Sequence, residues 1–130
     1  MVLNNCLHPG VVLLESYLAP LGITPNRLAR DTALGATRIY SLLAGTLGLS
    51  TDTALRLAIY FKTLPVSLIP HGHSPGDPRF WLDLQRDYDI ARRQQSPSWT
   101  ELAPRILPYR PAGRTLRSKG QTIRSLADDQ

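Results

Sequence analysis

This 130-residue chain is poor in the residues that do covalent chemistry. Its single cysteine, Cys6, excludes an internal disulfide and fits a reducing compartment. Cys6 has no His and Asp partners at a useful spacing, and the Asp/Glu residues scatter over polar faces, so no enzyme is expected. His71 and His73, with Asp77 nearby, lack a third and fourth ligand at any standard spacing, so neither a metal nor a cofactor is expected. His8 reads as a helix-start residue. No apolar run approaches the roughly 18 residues of a membrane span and no secretory leader opens the chain, which predicts a cytoplasmic protein. No internal repeat is present.

Acidic residues are also in short supply. The formal charge is +5 and favours an acidic partner, without choosing among nucleic acid, membrane and protein. Residues 1–93 hold nine Lys/Arg against seven Asp/Glu, whereas residues 94–130 hold six against three, so the last part is the more basic.

What is present in strength is the stretch from Ile23 to Gly45, ITPNRLARDTALGATRIYSLLAG. Thr24 suits an N-cap and Pro25 a first helical position, where a missing N–H is tolerated. Leu28 and Ala29 point inward. A turn over Thr32–Gly35 follows, with Leu34 filling the space between helices. A second helix from Ala36 to Ala44 buries Ile39, Leu42 and Leu43 at i, i+3, i+4, and Gly45 is placed to end it in the left-handed conformation. Thr37, Arg38, Tyr40 and Ser41 are left to solvent, although Tyr40 fits equally beside Leu43. Helix, short turn and polar-faced helix is the helix-turn-helix pattern, whose second helix enters a major groove.

Around it, His8-Pro9-Gly10 starts a helix with a stripe of Val12, Leu13, Leu14, Tyr17, Leu18 and Leu21, stopped by Pro20 and Gly22. Met1–Leu7 offers no capped element. Ser50 caps a further helix carrying Leu55, Leu57, Ala58 and Phe61. The segment 64–77 is dense in proline, with Val66 to Ile69 as one apolar turn against the core and His71–His73 as exposed loop. Asp77-Pro78 starts a fifth helix reaching Arg93, with Phe80, Trp81, Leu84 and Tyr88 on one face. Phe80 and Trp81 fit core and partner surface equally. Beyond Gln94, a capping box at Ser98 and Glu101 predicts one short helix carrying Leu102 and Ile106, and Thr115 to Gln130 reads as mobile when alone.

The residues LHPGVVLLESYLAPLGITPNRLAR, RIYSLLAG, TDTALRLAIYF and RFWLDLQRDYDIARR resemble the HigA-type antitoxins of bacterial toxin–antitoxin modules, within the Xre/Cro-like helix-turn-helix group. The resemblance covers residues 7–93. It implies a homodimer that binds its own operator DNA, represses its operon and neutralises a partner toxin, a ribonuclease of RelE/HigB-like fold. It places Ala36, Thr37 and Ser41 at base-facing positions and Thr24, Asn26, Arg38 and Thr46 at phosphate-contact positions. Helix five, with Phe80, Trp81, Leu84 and Tyr88, lies where the family builds its dimer face. The chain departs from the pattern at Pro25, where the family often has Gln, and at Thr37, Thr46 and Leu47, where it has basic residues. It also adds about thirteen residues between helices four and five.

These readings predict an all-α, lambda-repressor-like bundle of about five helices. Residues 1–93 form a DNA-binding and dimerisation domain with an insert at 64–77, and residues 94–130 a basic, Pro-rich, flexible tail. The DNA-contact set is Thr24, Asn26, Arg27, Ala36, Thr37, Arg38, Tyr40, Ser41 and Thr46, with Arg27 and Arg30 also positioned to pair with Asp31. Two other functions stay open: a stand-alone regulator, and a toxin-binding module that has lost operator binding.

Overall fold

The computed structural model describes residues 2–3 and 6–111. The expected all-α bundle forms, with one addition at its start. Val2–Leu3 (β1) and Cys6–Leu7 (β2) pair antiparallel, Val2 opposite Leu7 and Leu3 opposite Cys6, where the sequence offered no element.

The first helix, α1, covers residues 9–21. His8 caps it through Nδ1, which accepts the Gly10 N–H at 2.9 Å. The helix opens from α-geometry at Pro9–Val12 into a wide π-turn at Leu13–Leu18, then closes again at Ala19–Leu21. Pro20 is the physical reason. Its ring would meet a carbonyl of the preceding turn in a regular helix, and the widened turn makes room for it. Gly22, at φ 68°, ends α1 in the left-handed conformation, as the glycine there suggests.

Helix α2 spans Pro25–Thr32, capped by the Thr24 hydroxyl, which accepts the Arg27 N–H at 3.1 Å. Helix α3 is Ala36–Leu43, and Gly45 (φ 79°) turns the chain out of it. The left-handed residue between α2 and α3 is Ala33 (φ 58°), while Gly35 is extended. Helix α4, Thr51–Tyr60, is capped by Ser50. Its buried face is Ala54, Leu57, Ala58 and Phe61. Leu55, expected on that face, is half exposed, because positions 54, 57, 58 and 61 fall on one side of the helix and 55 does not.

Residues 61–77 are folded back onto the bundle. Val66–Leu68 forms a 3-10 turn, but Val66 is 85% exposed and the apolar turn does not tuck in as the sequence suggested. The anchoring comes instead from half-buried Leu64, from His73 and from buried Pro75. Helix α5, Pro78–Gln95, is capped by Asp77 and runs two residues past the expected end. Helix α6, Pro97–Leu102, starts at Ser96, whose hydroxyl accepts the Trp99 N–H, rather than at Ser98. The Ser98 hydroxyl accepts from Arg93 at 2.8 Å, and the Arg93 guanidinium lies 5.2 Å above the Trp99 ring, tying α6 to α5. The stretch Thr115 to Gln130, expected to be mobile, lies outside the described residues.

The core gathers Leu13, Tyr17, Leu18, Leu28, Ile39, Leu42, Leu57 and Trp81. At its α5 side Tyr17, Phe61 and Trp81 have ring centroids 5.0 to 6.0 Å apart. The two polar tips are satisfied by the folded-back segment: Trp81 Nε1–H donates to the Pro75 carbonyl at 2.9 Å, and the Tyr17 hydroxyl meets His73 Nδ1 at 2.8 Å. Burial pushes the Tyr17 hydroxyl up to about 12 and lowers His73 below the ordinary histidine value. No described helix is long and apolar enough to cross a membrane.

Candidate nucleic-acid interface

Helix α3 lies on the bundle by Ile39, Leu42 and Leu43, which leaves Ala36, Thr37, Arg38 and Tyr40 exposed and Ser41 half-buried. Thr37 and Ser41, one turn apart, share a face. Together with Arg38 and Thr46 they line an open groove between α3 and the start of α4. Thr24, Asn26 and Arg27 lie on the first turn of α2, outside that lining. Tyr40 stays half exposed and does not pack into the core beside Leu43.

Two residues in the groove were missed by sequence reading, Arg56 and Asp52. Arg56 Nη1 donates to the Thr32 and Ala33 carbonyls, at 2.8 and 3.0 Å, closing the exposed end of α2. Its Nε donates to Asp52 at 2.8 Å. The turn between α2 and α3 is thus clamped from α4. A basic residue one turn after an N-terminal Asp has the spacing of an ordinary i, i+4 surface pair, and nothing local signals its tertiary partners.

The charges are mostly committed. Arg27 and Arg30 both approach Asp31 at 3.4 Å, as their spacing allowed, and Tyr60 donates to the same carboxylate at 3.2 Å. Burial opposes ionisation of Asp31, but the hydrogen bonds from Tyr60, Arg30 and Arg27 outweigh it and hold the carboxyl below the usual range. Among the described residues Arg38 enters no ion pair, so its guanidinium is uncommitted at the groove. The Thr46 hydroxyl donates to the Ser41 carbonyl at 3.2 Å, which fixes the loop leaving α3. A surface of hydroxyls, one open guanidinium and a helix of groove width suits base-edge and phosphate contact.

The expected partner face on α5 divides. Trp81 is fully buried and has no surface left for a second chain, which corrects its assignment to a dimer contact. Phe80 is half-buried, edge-on to Trp81 at 5.0 Å and 4.8 Å from the His73 ring. Leu84 and Tyr88 keep partial exposure, Tyr88 lying edge-on to His8 at 4.9 Å. Ile90, half exposed on the same helix, was missed because it falls outside the apolar stripe. His71 is exposed, and no group of three or more His, Cys, Asp or Glu comes within ligating reach among the described residues.

Fold and groove together define a helix-turn-helix protein. No family model matches the sequence. The chain is 34% identical over 89 residues to virulence-associated protein I of Dichelobacter nodosus, an overlap of 68% of this chain and 70% of that protein. It is 32% identical to the structure of an addiction module antidote protein of the HigA family from Coxiella burnetii, with a TM-score of 0.64 over 80% of this chain and 98% of that one. It is 26% identical to Pseudomonas aeruginosa antitoxin HigA, solved with the higBA promoter, with a TM-score of 0.58 over 77% and 89% of the chains. This chain belongs to the HigA family of antitoxins.

Proposed function

We propose that the protein is an autorepressing antitoxin of the cytoplasm. As a homodimer it binds operator DNA upstream of its own gene through α3, and it neutralises a RelE/HigB-like ribonuclease toxin. The observation that carries the DNA reading is the groove in which Thr37, Arg38, Ser41 and Thr46 converge, on a chain similar to an antitoxin solved with promoter DNA. In this reading Ala36, Thr37 and Ser41 read bases, and Thr24, Asn26, Arg27, Arg38 and Thr46 approach the backbone, with Tyr40 at the margin. The residues up to the end of α5 form the recognition and dimerisation unit, with α6 appended to it. One module offers one short helix to one groove, and two half-sites about 34 Å apart would match a two-fold dimer. Phe80, Leu84, Tyr88 and Ile90 are α5 side chains with surface available for that contact.

A second reading is an interaction module that captures toxin without operator binding. The carboxylate of Asp52 in the groove and the absence of basic side chains at Thr37, Thr46 and Leu47 favour it. Titration against DNA from upstream of the gene and a random duplex, at two salt concentrations, separates the two. Salt-sensitive binding that prefers the upstream DNA supports the repressor. Equal or absent binding at low salt establishes the second reading instead.

A further inference from the structure

The loop from α3 to α4 is held at both ends. Near α3 the Ser41 carbonyl accepts the Thr46 and Leu47 N–H groups, at 3.0 and 3.3 Å. At the far end the Leu49 N–H donates to Gln85 Oε1 at 2.6 Å, across to α5. Gly48 sits beside the same carboxamide, and a Cβ there would lie 3.4 Å from both its nitrogen and its oxygen. The orientation of Gln85 is also fixed. Its Nε2 donates to Asp89, one turn along α5, at 2.9 Å. A carboxylate accepts only, so it takes the NH2 end and leaves the carbonyl end facing Leu49. Leu49 is itself buried, so the loop cannot drift without leaving a poorly hydrated N–H unpaired.

We propose that Gln85 is a positioning residue for operator recognition: from α5 it sets the loop that presents Thr46 and Leu47 beside Thr37 and Ser41. The inference rests on the DNA-binding reading above. Its consequence is that the helix carrying the proposed subunit contact also places part of the DNA-facing groove. The separation of the two recognition helices and the shape of each groove are therefore set by one element.

Gln85→Met keeps length and packing while removing both polar ends. The double variant Gln85→Glu, Asp89→Asn reverses the polarity of the pair at unchanged net charge, so the new carboxylate accepts from Leu49 and from the new amide. Each full-length variant is titrated against upstream DNA and a random duplex, with dimer mass, melting temperature and hydrogen exchange of the Leu49 amide as companions. Gln85→Met should lower the upstream-to-random affinity ratio about tenfold, the equivalent of one hydrogen bond. The Leu49 amide should lose protection, while random-duplex affinity and dimer mass hold. The double variant should restore the ratio to within about twofold. An unchanged ratio in Gln85→Met overturns the proposal. So does a parallel fall in ratio, random-duplex affinity and melting temperature that the double variant leaves uncorrected, since that marks a structural role only. If the wild-type protein shows no preference for upstream DNA, the DNA-binding reading itself fails and takes this proposal with it. Only a wild type that discriminates isolates the failure to Gln85.

Discussion

The two sides of the bundle solve opposite problems. The α5 side is crowded with rings, and the polar groups packed among its elements are partnered: buried Trp81 with Pro75, buried Tyr17 with His73, and half-buried Gln85 with Leu49 and Asp89. The α3 side is sparse. It presents hydroxyls and one uncommitted guanidinium, with its remaining charges paired to one another. The first arrangement can define a rigid frame. The second leaves polar groups free to meet something outside the chain, which is what distinguishes a recognition surface from a core.

The frame and the recognition helix touch at Gly10, and the strongest way to break the contrast lies there. A methyl on Gly10 would run into the Leu42 carbonyl oxygen of α3. Gly10→Ala should destabilise the protein by about 3 kcal/mol through overpacking and displace α3, lowering melting temperature and DNA binding together. Next in size, Thr37→Ala with Ser41→Ala acts on the open side alone. It should remove about 1–3 kcal/mol of discrimination for each base no longer read, with melting temperature and dimer mass unchanged. A dimer that dissociates in that variant would show these hydroxyls to be structural. Ala33→Gly sharpens the comparison from the other direction. Ala33 holds a left-handed backbone at φ 58° in the turn between α2 and α3. Glycine adopts that conformation without strain, so thermal unfolding should show a gain of up to about 1 kcal/mol.

The smallest effect expected is one of pH. Burial lowers His8 below its ordinary 6.5, and its Nδ1 must stay unprotonated to accept from Gly10. The unfolded chain therefore takes up the proton first. The contribution of His8 to stability is complete above pH 6.5 and declines as pH falls from there towards the lowered folded value. His73, lowered by burial as well, adds in the same direction. Denaturant titrations of wild type and His8→Asn between about pH 7.5 and 5 measure the His8 share, which appears as the shallower slope of the variant.

Local chemistry was legible in the sequence wherever one residue decides one element. Thr24, Ser50 and Asp77 cap the helices they were expected to cap, and Gly22 and Gly45 end theirs. The helix-turn-helix followed from these signals and a helical apolar period. Where two residues competed, the local pattern was insufficient. Ser96 and Ser98 both suit a cap, and Pro97 settles the matter by fitting the first helical position after Ser96. Features made by distant partners were not legible. The β1–β2 pairing, the clamp of Arg56 on α2 and the depth of Trp81 depend on elements brought together only in the fold. For the candidate site, the polar face of α3 was readable, whereas Asp52 in the same groove was not, since its position depends on how α4 crosses.

The proline-rich segment at 64–77 has the composition of a spacer, and a protein engineer would be tempted to shorten it or splice a tag into it. Its last residues act as part of the interior. Cutting back to Pro75 and His73 would strip the indole N–H and the tyrosine hydroxyl of their partners and open the aromatic cluster to water. The place to insert a label is nearer the start of the segment, around Val66 and Ser67, where the chain faces outward and its side chains are free.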